Sequence, residues 1–129
     1  WQLLMFSLIV YIIMFFVLTG LLNLIAKVFR GTGSYWGLFS TLAFANFPGI
    51  FLPVGRLLGQ VAGQAGNLLS GIISFAVFIW VVVLDILALR ESHGLSAGKS
   101  FLAYFLVGLI LLAFLLITLV AGLLSMPEL

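Results

Sequence analysis

The chain has 129 residues, 65% of them hydrophobic and 6% charged, with a mean hydropathy of +1.43. A soluble domain is about a quarter charged, so a water-soluble fold is excluded and a polytopic membrane protein is expected. The net charge of +2 rests on too few groups to make a nucleic-acid surface, and the lack of cysteine excludes disulfides, thiol catalysis and cysteine-based metal centres.

The sequence opens on Trp1, already apolar, and reads as a piece of a longer protein. Its first apolar block, residues 3–28, carries no charge before Lys27. At ~1.5 Å per residue it can cross a ~30 Å hydrocarbon core with some tilt. It is too long for a signal-peptide core. The loop Gly31-Thr32-Gly33-Ser34 follows, with backbone amides that could touch lipid phosphates. Trp1, Tyr35 and Trp36 fit anchoring at the membrane interface.

The second block, residues 36–54, contains Pro48, Gly49 and Pro53. Neither proline donates a backbone hydrogen bond, and each crowds a carbonyl four residues back. A kinked span packed in the bundle is expected, with a re-entrant segment as the alternative. Asn46, like Asn23, is expected to hydrogen-bond between helices; a substrate site around Asn46, Pro48 and Pro53 is the other reading.

Residues 54–69, VGRLLGQVAGQAGNLL, place apolar side chains at 54, 57, 58, 61, 62, 65, 68 and 69 in a helical stripe. Such a segment rests in the outer interface or starts the next span early. Gly55, Gly59 and Gly63 recur every fourth residue, a spacing that predicts a flat face for packing against a helix or a partner protein.

The third block covers 67–89 and contains Asp85, a carboxylate inside an apolar span. Such a residue raises an ion- or proton-handling hypothesis. Counted from Leu89, however, it lies only ~6 Å inside the boundary at helical rise. A structural pair with Arg90, Lys99 or headgroup water is the favoured reading. Trp80, in mid-block, is expected to pack within the bundle.

Residues 90–100, RESHGLSAGKS, approach a phosphate-binding P-loop. Three residues separate Gly94 from Gly98 instead of four, and a long apolar block rather than a strand precedes them. Ser96 and Lys99 have the spacing of a serine–lysine catalytic pair. Gly94 past a helix end and Ser96 as the next N-cap explain both better. His93 has no histidine or cysteine neighbour and reads as a solvated loop residue, not a metal ligand. The fourth block covers 97–125, and Met126-Pro127-Glu128 closes it.

Four of the five basic residues, Lys27, Arg30, Arg90 and Lys99, fall in the first and third linkers, and Arg56 falls in the second. This bias places the first and third linkers in the cytoplasm. One helix upstream of Trp1 would then give five spans with a cytoplasmic start.

The order of these features resembles the Yip domain family of Ypt/Rab-interacting membrane proteins. The resemblance rests on the Gly31–Ser34 loop before an aromatic, Phe44-Ala45-Asn46-Phe47-Pro48, Trp80, and the run from Leu89 to Ser100. The last is closest to the prokaryotic branch. The resemblance implies a five-helix domain, of which residues 1–129 hold four helices, with a cytoplasmic N-terminus and an outer C-terminus. Eukaryotic relatives associate with small GTPases; the acidic-aromatic signature before the first helix is missing here, and GTPase binding is not carried over. Prokaryotic relatives look like accessory proteins of the cytoplasmic membrane.

The expectation is therefore an all-α polytopic transmembrane bundle without cofactor, metal or nucleic acid. Its favoured function is non-enzymatic: a scaffold or accessory protein, surrounded by lipid, that binds other integral membrane proteins, a transporter or copies of itself. The alternative is a small-molecule, lipid or ion transport protein with a site near Asn46, Pro48 and Asp85. No two candidate catalytic groups converge.

Overall fold

The computed structural model describes residues 1–61 and 63–125. Ala62 of the apolar stripe and the Met126-Pro127-Glu128 terminus lie outside the described residues. The described chain is helical without strands: α1 (Gln2–Val28), α2 (Tyr35–Ala45), a 3₁₀ turn (Phe47–Phe51), α3 (Leu52–Val61), α4 (Gly63–His93) and α5 (Ala97–Leu124). Four stretches are long and apolar enough to cross a membrane: Gln2–Val28, Tyr35–Val61, Gly63–His93 and Ala97–Leu124.

The second stretch is broken where its prolines fall. Pro48 occupies the start of the 3₁₀ turn and Pro53 the second residue of α3. In the first turn of a helix a missing N–H costs nothing, because that donor has no intrahelical partner. The chain therefore restarts at each proline instead of carrying a kink through a continuous helix. This stretch begins beside Ser92 and ends with Gly59 beside Asn67 and Ser70. It descends along about 38 Å of α4 at helical rise, from one end to the other, and does not turn back as a re-entrant segment would.

The glycine spacing is used inside the chain. Gly55 and Gly59 face α4, where an added Cβ would come 3.3 Å from Ile73 Cγ2 and 3.1 Å from Asn67 Oδ1. Gly63 does not share that face. Its φ of +59° makes it the reversal between α3 and α4, with nothing within 4 Å of a built Cβ. The stripe read across 54–69 is thus two antiparallel helices, the second of which begins at Gly63.

Buried side chains concentrate at the end carrying the loops 29–34 and 94–96. Leu22, Ala26, Leu38, Leu42, Ala88, Leu89, Leu95 and Ala103 form one core there. Toward the other end α1 and α5 leave it: residues 1–14 and 108–125 are all exposed. Trp80 is also outside the core, 54% exposed on α4, because its side of the helix faces away from α2 and α5.

The loops are built alike. After α1, the Arg30 N–H donates to Lys27 O and the Gly31 N–H to Ala26 O, with Arg30 at φ +67°. After α4, the Leu95 N–H donates to Arg90 O around Gly94 at φ +62°. Both are helix terminations through a left-handed residue. Ser34 and Ser96 then cap α2 and α5 by accepting from Gly37 N and Lys99 N. The cap role expected for Gly94 and Ser96 is present.

The two loops also grip one another. The Thr32 N–H donates to His93 O at 3.1 Å, so the amides of Gly31 and Thr32 are committed within the protein and do not face lipid phosphates. His93 is not a solvated loop residue. It is 1% exposed, with Nε2 3.0 Å from Asn23 Oδ1 on α1 and Nδ1 2.9 Å from Ser92 Oγ. The polarity around it reflects a helix end, but that end is covered by the neighbouring loop.

Two outcomes follow from this grip. A Cβ on Gly33 would overlap the Ser92 carbonyl oxygen and approach its carbon to 2.7 Å, both backbone atoms, whereas a Cβ on Gly49 meets nothing. Gly33→Ala is expected to lower stability by about 1–3 kcal/mol through overpacking, with Gly49→Ala well below that, compared by thermal unfolding in detergent. His93→Phe should cost about 1–3 kcal/mol by stranding the Asn23 amide. Adding Asn23→Leu should recover part of it, a non-additivity that a double-mutant cycle detects.

Candidate functional site

Asp85 lies on α4, eight residues before its end, or about 12 Å along the axis. It is 5% exposed. The Tyr104 hydroxyl on α5 donates to its Oδ2 at 3.1 Å, and its Oδ1 has no partner. Water normally satisfies a carboxylate's lone pairs, and an unsatisfied one buried in apolar surroundings is costly.

The expected pair with Arg90 or Lys99 is absent. Among the described residues the ion pair present is Arg90 Nε with Glu91 Oε1 at 3.9 Å, both well exposed. The reason is angular. Five residues at helical pitch turn the side chain by about 140°, so Arg90 points away from the face of α4 that carries Asp85. The helix itself runs past Leu89 to His93.

Asp85 faces a cavity of about 560 Å³ between α1 and α5. From α1 the wall takes Tyr11, Phe15, Leu18 and Leu21; from α5 it takes Ile110, Leu111 and Phe114. Asn46 is the other polar residue on the wall besides Tyr11 and Asp85. Its Nδ2 donates to Leu42 O at 2.9 Å, within its own helix, and not to another helix as expected. It is held at the cavity because α2 ends there: Asn46 is the C-cap, and its carbonyl accepts from Gly49 N at 3.0 Å as the 3₁₀ turn begins. Pro48 is buried beside this break without lining the cavity.

The structure thus brings Asn46 and Asp85 to one cavity, holds Asp85 with Tyr104 and Asn46 with Leu42 O, and leaves Pro48 off the wall. Lys27, Arg30, Arg90, His93 and Lys99 belong to the loop end, and Gly55, Gly59 and Gly63 to the α3–α4 hairpin. Tyr104 and Tyr11 were not foreseen. Tyr104 had a signal: positions 85 and 104 are equidistant from the Gly94–Leu95 step, and an antiparallel helix hairpin sets such positions opposite one another. No equivalent signal marks Tyr11, whose neighbours come from a helix distant in sequence.

The site contains no group of three or more His, Cys, Asp or Glu side chains among the described residues that could hold a metal. The other polar side chains buried in the bundle are quiet. Thr19 Oγ1 donates to Phe15 O at 2.8 Å and Ser100 Oγ to Ser96 O at 3.1 Å, each within its own helix, the usual way to satisfy a hydroxyl where water is absent. Asp85 alone carries an orphan acceptor among the described buried side chains.

Comparison with curated proteins and with solved structures gives no match. The family model of the Yip1 domain matches residues 1–120, through the loop grip, the Asn46–Pro48 break and most of α5. With four helices able to cross a bilayer and that match over nearly its whole length, the chain is a multi-pass integral membrane protein belonging to the Yip1 domain family.

Proposed function

We propose that the chain binds a small amphiphilic molecule in the cavity between α1 and α5 and holds it or moves it within the bilayer. The observation that carries this reading is Asp85, a buried residue on the wall of a cavity of about 560 Å³ with otherwise largely apolar walls, one of whose carboxylate oxygens has no partner. That volume falls in the range of about 300–1,000 Å³ typical of small-molecule sites. A structural carboxylate would have both oxygens satisfied by its own protein. The basic residues Lys27, Arg30, Arg90 and Lys99 gather at the loop end, which supports placing that end in the cytoplasm. The prokaryotic character of the 89–100 turn supports a cytoplasmic membrane of prokaryotic type.

The accessory or scaffold role is the second reading, and a specific observation favours it. The surfaces of residues 1–14 and 108–125 that lie outside the cavity are largely apolar, so other membrane helices, a transporter's or a second copy's, can pack there. The Gly55 and Gly59 face no longer supports it, because α4 already occupies that face.

The two readings separate on purification in mild detergent with mass spectrometry of what stays bound. The cavity reading expects one amphiphile enriched over its share of the membrane, and lost when Leu111→Trp fills the cavity. Bound lipids that mirror the bulk membrane in both proteins would sink it. A stoichiometric protein partner, unaffected by Leu111→Trp, would establish the accessory role instead.

A further inference from the structure

The chemistry of the cavity narrows its occupant, on the assumption that the cavity is a binding site as proposed above. Asp85 lines the cavity with one oxygen unpartnered, its other oxygen being held by Tyr104. Among the described residues no Lys, Arg or His lines the cavity. A ligand head carrying phosphate, sulfate or carboxylate would meet a buried like charge with no cation to offset it, which is strongly unfavourable at low dielectric. A head that is both cationic and a hydrogen-bond donor meets its complement. The rest of the wall, Phe15, Leu18, Leu21, Ile110, Leu111 and Phe114, suits an apolar body.

None of the described basic residues supplies such a cation. Arg90 is turned away on α4 and lies beside Glu91. Lys27 and Arg30 end α1 at the loop end, Lys99 begins α5 there, and Arg56 lies on α3. Titratable groups on the packed elements are otherwise Tyr104, bonded to Asp85, Tyr11 on the wall, Tyr35, whose hydroxyl donates to Phe16 O, and His93, engaged with Asn23 and Ser92.

We propose that the α1–α5 cavity selects a lipophilic amine, its ammonium group paired with the Asp85 carboxylate and its apolar body lying between α1 and α5. A free amine fits better than a membrane aminolipid, since the aminolipid's phosphate would meet no cation on the wall beside Asp85. Asn46 Oδ1 offers a second acceptor for an ammonium proton, its amide nitrogen being occupied by Leu42 O.

The experiment measures binding of dodecylamine, dodecanol and dodecanoate to the whole chain in lipid nanodiscs, with Leu111→Trp as the background. Wild type should bind dodecylamine at least about tenfold more tightly than dodecanol, the effect of one charge-assisted bond of about 1.5–3 kcal/mol. Dodecanoate should bind most weakly. Asp85→Asn keeps the shape and an acceptor for Tyr104, and should reduce the amine-over-alcohol preference to within about threefold while dodecanol still binds.

Equal binding of amine and alcohol, a preference unchanged in Asp85→Asn, or displacement of dodecylamine by phosphatidylethanolamine at lower concentration would each overturn the amine assignment and leave the cavity reading standing. Binding of none of the three above the Leu111→Trp background would remove both. Where Asp85→Asn does not remain monodisperse, the ranking of the three heads by wild type alone decides.

Discussion

The fold depends on two backbones meeting without side chains between them. Gly33 lies against the Ser92 carbonyl and Gly31 against His93 and Ala26 O, so closely that a Cβ at either position would collide with backbone. This approach lets the Thr32 N–H reach His93 O and seats His93 against Asn23. Three helices are thereby fixed at one end by hydrogen bonds that bypass solvent. In a bilayer no hydrophobic driving force holds apolar helices together, so close packing and buried polar bonds must do it. Here both act at the same few residues.

The rest of the architecture is what that anchorage permits. Leu22, Ala26, Leu38, Leu42 and Leu89 close around it as the core. Farther along, α3 is fastened to α4 by Gly55 and Gly59, but α1 and α5 diverge from them. The cavity lies where the tightly packed end gives way to these freer helices, and Asp85 is on its wall because it is on the inward face of α4 just beyond the core. A tightly packed end and an open one are therefore parts of a single arrangement, with the carboxylate at their junction.

Much of this was legible in the sequence, and what was not has definite physical causes. Uninterrupted apolar length identified the spans, since a chain in lipid must satisfy its backbone within helices. Gly94 and Ser96 announced a stop and a start because each role demands a local backbone geometry that few residues supply. Side-chain direction was not legible from proximity along the chain. Arg90 is one turn from Asp85 in number but about 140° from it in azimuth, and His93 reads as solvated until the loop from 31 to 33 is placed over it. Gly63 shows the same limit from the other side: its spacing continues a helical face, while its positive φ ends the helix.

The stretch from Arg90 to Ser100 shows how little of a polar segment need be chemical. Arg90 O accepts from Leu95 N, His93 O from Thr32 N, and Ser96 O from Ser100 N and Oγ; Ser96 Oγ accepts from Lys99 N. Each polar atom in that set completes a helix end or ties it to the next loop, so the likeness to a phosphate cradle reflects a shared need of tight turns for glycine and serine. Asp85 differs in kind. It lies within a helix whose backbone is already satisfied, it ends nothing and caps nothing, and one of its oxygens is left over. Of the two acidic side chains among the described residues, Asp85 and Glu91, Asp85 is the buried one and the one left with an unpartnered oxygen. That asymmetry, rather than polarity alone, directs attention from the conspicuous turn to the carboxylate within α4.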